Sequence, residues 1–227
     1  MNARSQVFEI SVEARQVEEA VLSLFHTVLF HRTFGKFNYQ EESSYYMGNI
    51  GYEDVDCDYI DHTYVRAQSP GLDRTLREEV AAFSNDLRQI EYGSSGVANS
   101  NVRSGQVSLE FFQKRPTRWP FTSDSIPWEV WTIRTDLLHF NNEADRVRWQ
   151  ERVGEMLSDK VIYIAEVMNK HDFVPKMPTQ GDIELVFDTS YVDVQPYLFK
   201  ISYSTSGPNS PSVSTAVRRL FKDSLAI

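Results

Sequence analysis

The amino-acid sequence predicts an α+β domain, and two kinds of periodicity predict it. Three long stretches place apolar residues at i, i+3, i+4 and i+7, the spacing of one helix face. Between them, shorter stretches rich in Val, Ile, Tyr, Trp and Thr alternate apolar with polar residues, the pattern of strands with one buried side. A chain of 227 residues with 41% hydrophobic and 24% charged residues has globular composition and suffices for one domain with attached loops.

The first helix is expected over about 12–31, where Val17, Ala20, Val21, Leu24, Phe25, Val28 and Leu29 share a face and Ser11 stands ahead as an N-cap. Its polar side carries Arg15, Gln16, Glu18 and Glu19. His26 and His31 fall on different faces near its end, so they are read as partly exposed and not as a chelating pair. From Tyr39 to Arg66, strand-forming residues punctuated by Gly48 and Gly51 predict two strands around a turn. Ser69-Pro70 has the form of an N-cap with proline at the first helical position, and Leu72, Leu76, Val80, Phe83 and Leu87 carry a second helix to about 90.

Residues 93–105 are small and polar and are expected to form a flexible loop, because such a segment buries too little surface to offset its ordering entropy. Strands follow over 106–114 and 127–139. Pro116 and Pro120 oppose strand continuation between them, so 115–126 is read as a hairpin loop carrying Trp119 and Phe121. A long helix starts at Asn141 or Asn142 and runs to about 171, with Val147, Val153, Met156, Leu157, Val161, Ile164, Ala165 and Met168 as its buried stripe. Pro175-Lys-Met-Pro178 ends regular structure ahead of Val186-Phe187 and a strand at Tyr197–Tyr203. Gly207-Pro-Asn-Ser-Pro211 then detaches a short segment in which Val217, Leu220, Phe221 and Leu225 oppose Arg218, Arg219 and Lys222.

A net charge of −9 disfavours a dedicated nucleic-acid binder, which needs clustered Lys and Arg to neutralise phosphates. Cys57 is the single cysteine, so neither an intrachain disulfide nor a cysteine zinc site can form, which fits a reducing compartment. The N-terminal residues lack a secretory signal's apolar core and no run is long enough to span a membrane, so the expectation is a soluble, intracellular protein.

Catalytic signatures are not visible: there is no nucleophile elbow, phosphate loop, zinc-binding helix or dinucleotide fingerprint. Asp54, Asp56 and Asp58 imitate the start of a calcium loop, but Tyr59 replaces the turn glycine and Val65 the bidentate Glu, so they are read as strand carboxylates facing water or a basic partner. Like charges at Asp56 and Asp58 should raise the Cys57 thiol pKa, the wrong direction for a nucleophile. Trp128 and Trp131 are assigned to the core. Trp119 and Phe121, next to Arg118, have the composition of a binding anchor, and by composition alone an exposed anchor and a fold-back cover carry equal weight.

Arg118-Trp-Pro-Phe121 followed by Ile126-Pro-Trp-Glu-Val-Trp-Thr132 resembles a loop and strand of the autophagy-related protein 101 family. The likeness extends in order through Asp54-Val-Asp-Cys-Asp58, Ser108-Leu-Glu-Phe111, Glu166-Val-Met-Asn-Lys-His171, Pro175-Lys-Met-Pro-Thr-Gln180, Asp193-Val-Gln-Pro-Tyr197 and Arg218-Arg-Leu-Phe-Lys-Asp-Ser-Leu225. The resemblance implies a HORMA domain over 1–205, a mostly antiparallel sheet with three packed helices, followed by a linker and amphipathic segment over 206–227. It implies a non-catalytic adaptor subunit of the Unc-51-like kinase complex, without cofactor, that pairs with the HORMA domain of autophagy-related protein 13. The implied location is the cytoplasm and, on induction, the preautophagosomal structure.

Carried onto this chain, Trp119, Pro120 and Phe121 become a WF finger that recruits downstream autophagy factors, with Pro120 stiffening the turn. Asp54, Asp56 and Asp58 are the candidate surface for the HORMA partner. Residues 93–105 and 204–212 depart from the vertebrate pattern and point to an invertebrate version. Two further readings belong beside this one. A cytosolic hydrolase or transferase would assemble its site from Cys57, Asp61 and His62. The cationic C-terminal segment would touch anionic lipid, membrane contact otherwise being indirect.

Overall fold

The structure, a computed structural model, describes residues 3–41, 44–92, 103–116, 123–169 and 174–205. Its elements run Arg4–Glu13 (β1), Val17–Phe30 (α1), Thr33–Gly35 (β2), Phe37–Glu41 (β3), Ser44–Met47 (β4), Tyr52–Asp56 (β5) and Thr63–Ala67 (β6). Then come Pro70–Tyr92 (α2), Ser104–Pro116 (β7), Ser123–Leu138 (β8), Glu143–Met168 (α3), a 3-10 turn at Gln180–Leu185, Val194–Pro196 (β9) and Phe199–Thr205 (β10). The α+β class is as expected.

The main sheet has the order β1-β8-β7-β10. β1 lies parallel to β8, while β7 pairs antiparallel with both β8 and β10. Alternation sets the faces: Val107, Leu109 and Phe111 of β7 and Trp131 and Ile133 of β8 are buried, whereas Gln106 and Arg134 are exposed. The helices cover the buried face. α1 lies between α2 and α3, and β6 closes over it. Enclosed in this way, α1 buries even Ser23, His26 and Thr27.

Several expectations are corrected by this arrangement. Ser11 is no N-cap, because the chain before the first helix is a strand: Phe8, Ile10 and Val12 alternate with Val7, Glu9 and Ser11, and pairing with β8 outweighs the helical spacing that Val12 shares with the residues after it. The helix starts at Val17 behind Gln16, which makes no side-chain cap and is itself buried, bonding Tyr59 O and Glu13 N at 2.8 and 3.0 Å. His26 is not partly exposed but buried, 3.1 Å from Asp73. The two strands expected over Tyr39–Arg66 are four, because Gly48 and Gly51 separate two hairpins, β3–β4 and β5–β6, where one turn was read. β2, β9 and the 3-10 turn were too short to show a period.

Cap chemistry was legible. Ser69 Oγ accepts from Leu72 N at 3.4 Å ahead of Pro70, and Asn142 Oδ1 accepts from Asp145 N at 2.7 Å. The stripe of α3 begins later than expected: Val147 is 48% exposed because the first turns overhang the core, although Trp149 Nε1 reaches back to donate to Ser11 O at 3.2 Å and Arg146 Nε to Glu13 Oε1 at 3.0 Å. The helix stops at Met168, not 171, and Asn169 caps it. Of the loop expected over 93–105, residues 93–102 lie outside the described residues, and Ser104 and Gly105 already belong to β7. The C-terminal segment 206–227 also lies outside them.

At Gly154, α3 meets the turn between β5 and β6 so closely that a Cβ there would sit 2.1 Å from Asp61 O. Backbone cannot yield as a side chain can, so Gly154→Ala must push α3 off this turn. We expect the substitution to lower unfolding free energy by about 2–3 kcal/mol, measured by urea denaturation; a loss below about 0.5 kcal/mol would contradict this contact.

Candidate functional site

The β7–β8 hairpin outruns its sheet. β1 begins opposite Glu129, and β10 begins opposite Phe111, so the rungs from Phe112↔Pro127 to Pro116↔Ser123 are flanked by neither. These rungs carry a two-stranded ribbon roughly 17 Å beyond the last full row of the sheet. Arg115, Asp124 and Ser125 are exposed along it. Pro116 was expected to oppose strand continuation here, yet it belongs to β7; it and Pro127 of β8 are tolerated because this part of each strand has an open edge. Of the loop expected over 115–126, residues 115–116 and 123–126 belong to β7 and β8, and 117–122, with Trp119, Pro120 and Phe121, lie outside the described residues.

A network of buried bonds holds the ribbon's root. β7 shifts register between Phe111 and Phe112, and Phe112 N donates to Leu198 O at 3.0 Å. Beside the shift, Arg32 Nε donates to Glu129 Oε2 at 2.8 Å, both side chains being at most 6% exposed. Trp131 Nε1 donates to the other oxygen, Glu129 Oε1, at 2.8 Å. The Arg32 guanidinium stands 5.7 Å from the Trp128 ring, and Trp128 meets Tyr197 edge-on at 5.1 Å. Tyr197 N returns to Arg32 O at 3.0 Å. A carboxylate with both oxygens bonded, facing a guanidinium stacked on an aromatic ring, meets the condition under which a buried charge pair is tolerated.

Sequence reasoning missed this network, although a signal existed. Trp131, Ile133, Thr135 and Leu137 define one side of the strand, and counting back by two puts Glu129 on that side. A carboxylate at a core-facing position needs a cation. Trp128 and Trp131 are buried, as expected.

The acidic strand is β5 with the turn that follows it. Asp54, Asp56 and Asp58 are exposed, while Val55 and Cys57 between them pack on the core, the alternation expected of strand carboxylates. Asp56 Oδ1 accepts from Thr63 at 2.6 Å. Glu19 of α1 holds the turn, accepting from Asp58 N and Tyr59 N at 2.8 and 2.9 Å, and burial leads the causes that raise its pKa. The Cys57 thiol is pushed up to about 12, by burial first and then by the charges of Glu19, Asp56 and Asp58.

His62 does not serve that thiol. Its Nε2 lies 2.9 Å from Ser23 Oγ and its Nδ1 3.4 Å from Ser158 Oγ, and the link to Cys57 is backbone only, Cys57 N donating to His62 O at 3.0 Å. Burial lowers the His62 pKa. Cys57, Asp61 and His62 therefore come close in the fold without forming the thiolate–imidazole pair that the hydrolase or transferase reading requires. Among the described residues, no three His, Cys, Asp or Glu side chains group as a metal set.

Comparison with known proteins adds an independent line. The family profile described as Autophagy-related protein 101 matches residues 9–181. Autophagy-related protein 101 of Xenopus tropicalis is 52% identical over 227 residues, covering 100% of both chains. The Homo sapiens protein of that name is 51% identical over the same full span. The Arabidopsis thaliana protein is 24% identical over 136 residues, covering 59% of this chain and 52% of its own length.

Removing one member of the root pair should cost far more than removing both. Glu129→Ala, which strands a buried guanidinium, is expected to lower unfolding free energy by about 3–5 kcal/mol, whereas the double change Arg32→Met with Glu129→Leu should lose less than half of that. Urea denaturation of the three proteins checks this, and equal losses in single and double variants would contradict it.

Proposed function

This chain belongs to the autophagy-related protein 101 family, and from that membership we propose that it is a non-catalytic adaptor subunit of the autophagy-initiating Unc-51-like kinase complex. It pairs through its HORMA domain with the HORMA domain of autophagy-related protein 13, and it recruits downstream autophagy factors through Trp119, Pro120 and Phe121. It works in the cytoplasm and gathers at the preautophagosomal structure when autophagy is induced. No described helix is long and apolar enough to cross a membrane.

The observation that carries this reading is the ribbon. Strands that leave their sheet while a buried ion pair pins their root support this reading, because they carry the chain beyond the sheet as far as Pro116 and Ser123 and keep the ribbon's base in one orientation. Preorganisation of this kind lowers the entropy lost on binding, so a partner pocket gains most of the burial energy of each ring, about 1.5–3 kcal/mol. The exposed carboxylates Asp54, Asp56 and Asp58 supply a charged face that steers and orients the HORMA partner.

Trp119→Ala with Phe121→Ala should abolish co-precipitation of downstream autophagy factors while leaving the thermal midpoint and pairing with the partner HORMA domain intact. In the same assay, Asp54→Lys with Asp56→Lys and Asp58→Lys should weaken the HORMA pairing and spare recruitment. A fall of several kcal/mol in stability of the aromatic variant would place the rings in this chain's own core and overturn the finger.

A further inference from the structure

β1 forms one margin of the main sheet, and among the described residues no strand pairs with its far side. Its ladder with β8 runs from Arg4 to Glu13 without a register shift. In a parallel ladder, alternate residues turn both backbone groups towards the neighbouring strand and the residues between turn theirs away. Glu13 N donates to Gln16 Oε1 at 3.0 Å and Glu13 O accepts from Gln16 N at 2.9 Å, so neither serves β8. The odd-numbered residues of β1 therefore point outward, and Ser5, Val7 and Glu9 are among them.

The two halves of this edge differ. At Ser11 and Glu13 it is closed, by Trp149 Nε1 on Ser11 O at 3.2 Å and by Gln16. At Ser5, Val7 and Glu9 no hydrogen bond among the described residues uses the outward N–H or C=O. Neither proline nor a bulge breaks this half, and its one charged side chain, Glu9, reaches back over the sheet to Arg134 at 3.5 Å. Apolar surface lies on both sides of it. On the sheet face away from the helices, Val7 is 48% exposed. On the helical side Phe8 is met edge-on by Tyr163 of α3 at 5.8 Å, and Tyr163, whose hydroxyl donates to Gln6 Oε1 at 2.9 Å, remains 40% exposed.

We propose that the edge at Ser5–Glu9 takes up an extended, apolar-centred segment of a partner protein as an added outer strand. The unpaired groups themselves define that partner: N–H and C=O pairs repeating at roughly 7 Å along a strand are matched by extended backbone. A helix has spent its backbone groups internally, and a phosphate surface offers acceptors without donors for the carbonyls. A β-branched side chain opposite Val7 would cover that residue, and its neighbours in the added strand would lie against Phe8 and Tyr163. Neither the ribbon nor the acidic strand takes part, so this inference stands apart from the recruitment reading.

Fluorescence anisotropy of the full chain with a short fluorescein-labelled peptide alternating Val and Thr tests the proposal, and saturable binding is expected. Val7→Pro removes one outward N–H and no bond to β8, so it should keep the thermal midpoint and weaken binding about tenfold or more. Val7→Thr, which keeps the backbone donor, should bind within about threefold of the unaltered chain. Because only alternate amides of an added strand face β1, methylating every second peptide nitrogen should abolish binding in one phase and spare it in the other, a signature that side-chain contact alone would not give. Equal binding of the two methylated peptides, no binding of the unmodified one, or a dimer of this chain that Val7→Pro dissolves in sedimentation velocity would overturn it.

Discussion

The buried pair between Arg32 and Glu129 is the constraint on which the rest of the architecture depends. Charges enter a core at a cost of several kcal/mol each, and only a complete set of partners offsets it. The set here draws on distant parts of the chain: Arg32 from the turn after α1, Glu129, Trp128 and Trp131 from β8, and Tyr197 from just before β10. An apolar core tolerates sliding and substitution so long as volume is kept; a carboxylate with two named donors does not. The pair therefore fixes how far β8 reaches past β1, and with it where the ribbon starts.

Stiffness at the root follows from the same geometry. A two-stranded ribbon is marginally stable in water by itself. Here its first rung, Phe112↔Pro127, adjoins the register shift, the bond from Phe112 N to Leu198 O and the Trp128–Tyr197 contact. The ribbon's base is thus held by bonds that belong to the core. The acidic face obeys a parallel logic: Val55 and Cys57 anchor the strand inward, so the alternating carboxylates between them are turned outward as a group.

What the sequence discloses depends on the range of the interaction concerned. The helix caps at Ser69 and Asn142 rest on neighbours within three residues and were legible, as were the strands around Leu109 and Trp131, whose period of two repeats several times. Most of β1 carried no assignment and its end was absorbed into the following helix, because Val12 satisfies both periods and only pairing with β8 decides between them. His26 looked like a helix-end histidine; its burial comes from β6 and α2, which bring Tyr64 and Asp73 against it. Burial would raise the Asp73 pKa, yet hydrogen bonds from His26 and Arg77 and the charges of Arg77 and Arg66 outweigh it and hold it well below the carboxylate range. No local pattern encodes such a cluster. At the candidate site the aromatic motif was legible and its support was not, because Arg32 and Glu129 lie 97 positions apart.

The acidic strand obeys a different rule from the buried pair. Asp54, Asp56 and Asp58 stand exposed in high dielectric, where a single contact contributes little, while the summed field of three like charges on one side of the strand and its turn reaches into solvent and falls off with salt. The ion pair at the ribbon root is withdrawn from water, so its two charges act strongly on each other and on little beyond the core. Charge inside this fold fixes geometry, and charge on its surface sets a long-range field.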